Sequence, residues 1–237
     1  MTQSLERPAP AITSPPRRQV PRAMWRLAGG LAIAHVVLLF GGSSQEKSPL
    51  LSDGPEVVKR ALVGANVGQA MAGGVVESLS FLVLLPVLVF LARSIGQRTE
   101  AGRWATQTAL AAGVCYVVIT VATAIPAGAA ALYGAHHGVA DAATLALVDN
   151  VRNFAFYLSL LALGTHALGI GIAALTDGTM KRWAGFGGIG VGIILFAGVA
   201  AEGLTHGGAA SGLPFMLWVI WWIGLAISLI RRGATTA

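Results

Sequence analysis

Six apolar stretches run through the chain, at about residues 25–42, 68–92, 104–131, 152–175, 183–203 and 213–230. A run of about 20 apolar residues is the length of helix that crosses a bilayer. Inside the hydrocarbon every backbone N–H and C=O must be bonded internally, and a helix does that within one segment. The expected fold is therefore all-α, a polytopic membrane helix bundle with six transmembrane helices. Composition agrees. Only 11% of the residues are charged and the mean hydropathy is +0.71, against about 25% charged in soluble domains. The 31 glycines would weaken soluble helices but suit close helix packing in lipid.

Charge placement orients the spans. With the N-terminus inside, the inner segments hold Arg7, Arg17, Arg18, Arg22, Arg26, Arg93, Arg98, Arg103, Lys181, Arg182, Arg231 and Arg232, twelve of the 16 basic residues. The outer segments hold Lys47, Lys59, Arg60 and Arg152. The positive-inside rule then puts both termini in the cytoplasm of a bacterial inner membrane. This distribution also explains the pI near 10.2 without a nucleic-acid partner, since the basic residues do not share one face. Trp25-Arg26, Arg103-Trp104 and Arg182-Trp183 open the outward-going helices, as interfacial anchors do.

Residues 1–22 are basic and proline-rich and read as a disordered cytoplasmic arm. Residues 23–232 form the six-span domain, and 233–237 a short cytoplasmic tail. Arg17-Arg18 is followed by Gln-Val-Pro rather than a twin-arginine pattern, and no small-x-small cleavage site follows residues 27–40. The first span is thus read as retained. Pro126 interrupts the third span, so a kink or unwound end is expected there. Cys115 is the single cysteine, which excludes an intrachain disulfide and a CxxC motif.

Against this apolar background Glu77 stands out, within the run from Ala70 to Leu91. An ionisable group near mid-span costs at least roughly 2.5 kcal/mol, so the expected setting is the bundle interior. Asn66, Gly73, Glu77 and Ser80 fall on one helical face. His35, Tyr116, Thr120, Thr123, Thr165 and His166 lie at similar depth in other spans. A mid-membrane pocket is expected around Glu77, with Glu77 and Tyr116 as the reactive groups and His35, Asn66, Ser80, Thr120 and His166 as binding groups. Each also has a structural reading: a protonated acid bonded to Ser or Thr, core histidines, a core tyrosine, and threonines bonded to their own helix.

On the outer side, His136, His137, Asp141, Asp149, Glu202 and His206 are metal-capable residue types. They lack HExxH or comparable spacing and read as exposed loop polarity. No metal or cofactor is expected. Asn150-Val-Arg-Asn153 reads as the start of the fourth span, with Arg152 snorkelling outward. Walker A, GxSxG and EF-hand motifs are absent, and no lysine lies in a span for a retinal Schiff base. Gly64-x-x-x-Gly68, Gly188-x-x-x-Gly192, Gly164, Gly169 and Gly171 read as packing faces, available to a homo- or hetero-oligomeric partner.

Arg26-Leu-Ala-Gly-Gly, Asn66 before the second span and Leu84-Leu-Pro-Val-Leu-Val resemble a broad family of uncharacterised multi-pass bacterial membrane proteins. The Ala/Gly/Arg content resembles that of actinobacterial sequences. The resemblance implies a multi-pass membrane protein embedded in lipid and no particular chemistry. Three functions follow from the residues. The leading one is binding or translocation of a small solute or proton, with Glu77 titrating. A second is acid catalysis on an isoprenoid-like substrate, as in a membrane terpene cyclase, with Tyr116, Phe154, Tyr157 or Trp221 lining the pocket. A third is a non-catalytic structural or regulatory subunit.

Overall fold

The computed structural model describes residues 20–45, 49–205 and 211–235. These residues are helical, with no strand among them. The helices are α1 (Arg22–Ser43), α2 (Pro55–Val63), α3 (Val67–Ser94), α4 (Glu100–Ile119), α5 (Ile125–His136), α6 (Ala142–Asp177), α7 (Arg182–Thr205) and α8 (Gly212–Thr235). Six helices are long and apolar enough to cross a membrane: α1, α3, the continuous α4–α5 unit, α6, α7 and α8. The chain is a helical integral membrane protein. The arm as far as residue 19 and residues 236–237 fall outside the described residues.

Local chemistry sets the helix ends. Asn66, Thr99 and Asp141 cap α3, α4 and α6 by accepting the amides of Gln69, Gly102 and Thr144 at 3.1, 2.9 and 2.8 Å. Thr144 holds the exposed Asp141 carboxyl below the ordinary carboxylate range. Gly178 closes α6 at φ 64°, a left-handed conformation that favours glycine.

Two elements depart from expectation. The fourth span starts at Ala142, so Arg152 lies ten residues inside α6 rather than at a helix start. The local pattern was misleading because the first turns of α6 are amphipathic, resting on α2 and α5 instead of lipid. The third span is not unwound at Pro126. A π-helical stretch, Thr120–Ala124, precedes the proline, and the helix runs unbroken from Glu100 to His136. Proline has no N–H and crowds the carbonyl four residues back, and one widened turn accommodates both.

The spans form a closed ring. α1 packs on α3 and α8, α8 on α7, α7 on α6, α6 on α4, and α4 on α3. The interior is filled by Phe81, Leu84, Leu88, Tyr116, Leu160, Trp218 and Trp222. A smaller apolar cluster joins α2 to α5 and the start of α6 through Val58, Leu62, Ala131 and Leu145. α2 was not anticipated, although Gly54-Pro55 before Val58 and Leu62 is a helix-start signal.

Glycine brings the helix backbones together. A Cβ on Gly171 would lie 2.7 Å from the Gly185 oxygen, and one on Gly169 2.6 Å from the Ala105 oxygen. Gly164, Gly188 and Gly192 likewise pack between α6 and α7. These glycines are used inside the monomer. Gly64 and Gly68 are not part of a helix seam, because their nearest neighbours are local atoms of Arg60, Ala61 and Asn66. Trp25 also differs from its expected interfacial role. It is buried against Phe90, with the Arg232 guanidinium 4.5 Å from its ring centre, whereas Trp104 and Trp183 are exposed.

The α1–α3 seam gives a direct test. A Cβ on Gly42 would lie 2.6 Å from the Gly73 oxygen and 2.7 Å from the Glu77 nitrogen, whereas one on Gly41 meets open space. Gly42→Ala is expected to destabilise the purified protein by about 1–3 kcal/mol. Gly41→Ala should leave its melting temperature unchanged or raise it slightly. Equal melting temperatures for the two variants would contradict the close seam.

Candidate functional site

The ends of the spans on the α2 side surround a cavity of about 430 Å³, within the range typical of small-molecule sites. Its walls come from the α2 side of α3 (Ala70 to Ser78), the π stretch and α5 (Thr120 to Leu132), and α6 (Arg152 to Tyr157). Ser43 and Ser211 contribute from the ends of α1 and the start of α8, and Pro49, Leu50, Leu51 and Leu62 cover it from outside. Most of this surface is apolar. The polar exceptions are Ser43, Glu77, Ser78, Thr120, Arg152, Asn153, Tyr157 and Ser211.

Glu77 stands ten residues into α3, about 15 Å along a helix, and is partly buried. Its backbone is held by the Gly42–Gly73 seam, and its carboxyl is within electrostatic reach of Tyr116. Arg152 lies at the corresponding distance along α6. It pairs with Asp149 at 3.0 Å, and Asp149 is buried. Gly128 makes room for it, since a Cβ there would lie 3.0 Å from Arg152 Cδ. Arg152 is thus a wall of the cavity, where the sequence suggested an interfacial anchor. Asn153 Nδ2 donates to the Pro49 oxygen and to Asp149 Oδ2, both at 3.4 Å, and so ties α6 to the covering loop. Behind the wall lies Glu202, buried, accepting from Tyr157 Oη at 3.3 Å and from the Ser211 amide at 3.1 Å.

The other expected residues divide. Thr120 lines the cavity and donates to the Tyr116 oxygen at 2.9 Å. Asn66 is an exposed helix cap. Ser80 is buried and donates to the Glu77 carbonyl. Tyr116, His35 and His166 lie below the cavity in an aromatic core. Tyr116 packs on Phe81 and Trp218 at 5.3 and 6.4 Å between ring centres. His35 Nδ1 donates to the Ser80 oxygen at 3.0 Å, and His166 Nδ1 to the Ala109 oxygen at 2.8 Å. Their Nε2 atoms and Trp218 Nε1 have no hydrogen-bond partner among the described residues. His35 touches Trp218 and His166 touches Trp222, with the two indoles stacked at 5.5 Å. The four-residue pocket of Glu77, His35, Tyr116 and His166 does not form as one cavity. Glu77 lines the open space and the other three fill the core beneath it.

Of the aromatic residues expected to line a cyclase pocket, Tyr157 faces the cavity. Phe154 lies on the opposite side of α6 in a shallow groove with Thr123 and Leu158. Trp221 is buried and donates to the Ala184 oxygen. The outer polar residues have separate structural roles. His136 bonds the Ala65 oxygen at 3.1 Å, and the His137 ring lies tilted against Tyr133 with 4.2 Å between ring centres. No cluster of three or more metal-ligating side chains occurs among the described residues, and His206 lies outside them. Arg152, Asn153, Ser211 and Glu202 were not assigned to the pocket from sequence. The available signal was an Arg and an Asn in a helix whose apolar run resumes immediately after them.

No curated protein and no solved structure matches this chain. Residues 27–233 match a family described as a domain of unknown function, DUF4386. That match takes in the ring of six helices and every wall of the cavity, and it places the chain in the DUF4386 family.

Proposed function

We propose that the protein binds or translocates a small solute through the cavity, with Glu77 as its ionisable group. The observation that carries this reading is the pairing of a carboxylate and a guanidinium with an otherwise apolar, roomy chamber inside a membrane bundle. Intramembrane ionisable residues are costly and mark substrate or proton pathways. Here the cost is offset by the Asp149–Arg152 pair and by the polar side chains of Asn153, Thr120 and Tyr157. A carboxylic acid in such a setting exchanges a proton when charge arrives or leaves. The other charged and polar groups in or behind the cavity wall are Arg152, Asp149 and Tyr157 from α6 and Glu202 from α7.

The charge distribution supports an orientation with both termini and the basic arm of residues 1–22 in the cytoplasm of a bacterial inner membrane. The cavity then opens toward the outer side. Beneath it the ring is filled by Phe81, Leu84, Trp218 and Trp222, so this conformation gives access from one side, and translocation requires that plug to shift.

Two measurements test the reading. In a Cys115→Ala background, Asp53→Cys should react with an impermeant maleimide added to intact cells, and Gln97→Cys, exposed in the turn between α3 and α4, only after lysis. The reverse pattern would overturn the orientation. In proteoliposomes containing a pH-sensitive dye, solutes that the wild type carries should move protons with them. Glu77→Gln should reduce that proton movement at least tenfold, and an unchanged signal would remove Glu77 from the role.

A further inference from the structure

Resting on that reading, we infer that the solute is an uncharged, lipid-dissolved molecule whose hydrocarbon chain enters the cavity from the bilayer, between α3 and α5. Two independent observations lead there. The first is what the wall offers a ligand. Most of it is apolar, and its polar groups are already engaged within the protein. Ser78 Oγ donates to the Gly74 oxygen at 2.7 Å, and Thr120 Oγ1 to the Tyr116 oxygen. Asn153 Nδ2 donates to the Pro49 oxygen, and Tyr157 Oη to Glu202. Glu77 and Arg152 have partners of their own, Asp149 among those of Arg152. A solute that must exchange water for new hydrogen bonds finds few open here, and unmet polar groups are costly in an apolar site. A hydrocarbon chain needs none and fits the apolar lining.

The second is shape. Met71, Val75, Leu79 and Leu82 follow one stripe of α3 at helical spacing, and they are 52, 60, 47 and 58% exposed. Leu79 and Leu82 lie inside an apolar span and outside the cavity, so the stripe is the lipid-facing side of α3. Met71 and Val75 continue it and also line the cavity. The chamber therefore reaches the surface that lipid covers. Val75 is eight residues past Val67, the first residue of α3, about 12 Å along the helix, which puts this opening within the span. Across the gap, α5 rests on α6 and α2 and barely touches α3. Ile125 and Ala129 line the cavity from α5, so both helices present apolar side chains to an entering chain.

The test uses the full chain in nanodiscs with two uncharged photoreactive probes, a diazirine-bearing dodecanol and a water-soluble diazirine-bearing diol, and maps the labelled residues by mass spectrometry. Ala124 and Leu132 line the cavity and are buried, so only a probe inside it labels them. The dodecanol probe is expected to label them at least tenfold more than the diol, and unlabelled dodecanol should compete. Val75→Trp should reduce that labelling about tenfold, while Leu82→Trp, on the same stripe but away from the cavity, should not. Melting temperatures separate blockage from misfolding, and Met71→Trp repeats the blockage test at the same opening. A phospholipid with the diazirine in its acyl chain identifies the source. Labelling by it assigns the chain to bilayer lipid, and labelling by dodecanol alone assigns it to a smaller amphiphile. Stronger labelling by the diol would overturn the inferred ligand class and leave the cavity a binding site. Dodecanol labelling unchanged in both tryptophan variants at the opening would overturn entry between α3 and α5. If no probe labels Ala124 or Leu132, the inference and the binding reading fall together.

Discussion

Close contact between helix backbones is the constraint on which this protein depends. Lipid is as apolar as the side chains facing it, so helices gain little by hiding leucine from lipid, and packing must supply the attraction. Glycine lets that packing reach the main chain. Gly169 admits α4 to α6, Gly171, Gly188 and Gly192 join α6 to α7, and Gly42 and Gly73 join α1 to α3. α6 is accordingly the most buried of the spans. The last of these seams also fixes the backbone of Glu77, so the element that holds the ring together also positions the acid.

The ring closes at one end and stays open at the other for a compositional reason. Toward the termini the interior receives Trp218, Trp222, Phe81 and Tyr116, large rings that meet edge to face, tilted or stacked. Toward α2 the same helices contribute Gly74, Ala70, Gly128 and Ala129, which leave space. The buried histidines belong to the closed half. Each gives its Nδ1 proton to a carbonyl on another helix, which pins α1 to α3 and α6 to α4.

The covering segment has a different kind of stability. α2 rests on a small apolar cluster of Val58, Leu62, Ala131 and Leu145, and the loop before it is tied down by Asn153 to Pro49 at 3.4 Å. These contacts are few and near solvent, the properties of a segment that opens locally at low cost. The cavity is thus bounded on the α2 side by a segment held more loosely than the spans around it.

The six spans, their helical state and the anomaly of Glu77 follow from sequence, because hydropathy and backbone bonding in lipid are local properties of about 20 residues. Thr120 bonding its own helix was likewise legible, as an i to i−4 pattern. The start of α6 at Ala142, the helix α2 and the inward placement of Arg152 were not, because their apolar faces are completed by one another rather than by lipid. Whether Glu77 met His35, Tyr116 and His166 was a question of helix rotation and vertical offset, which spacing along one chain does not specify. Tertiary packing decided it. Glycine seams set the offsets, aromatic rings filled the space around the histidines and Tyr116, and small residues left the cavity where Glu77 faces Arg152's side of the ring.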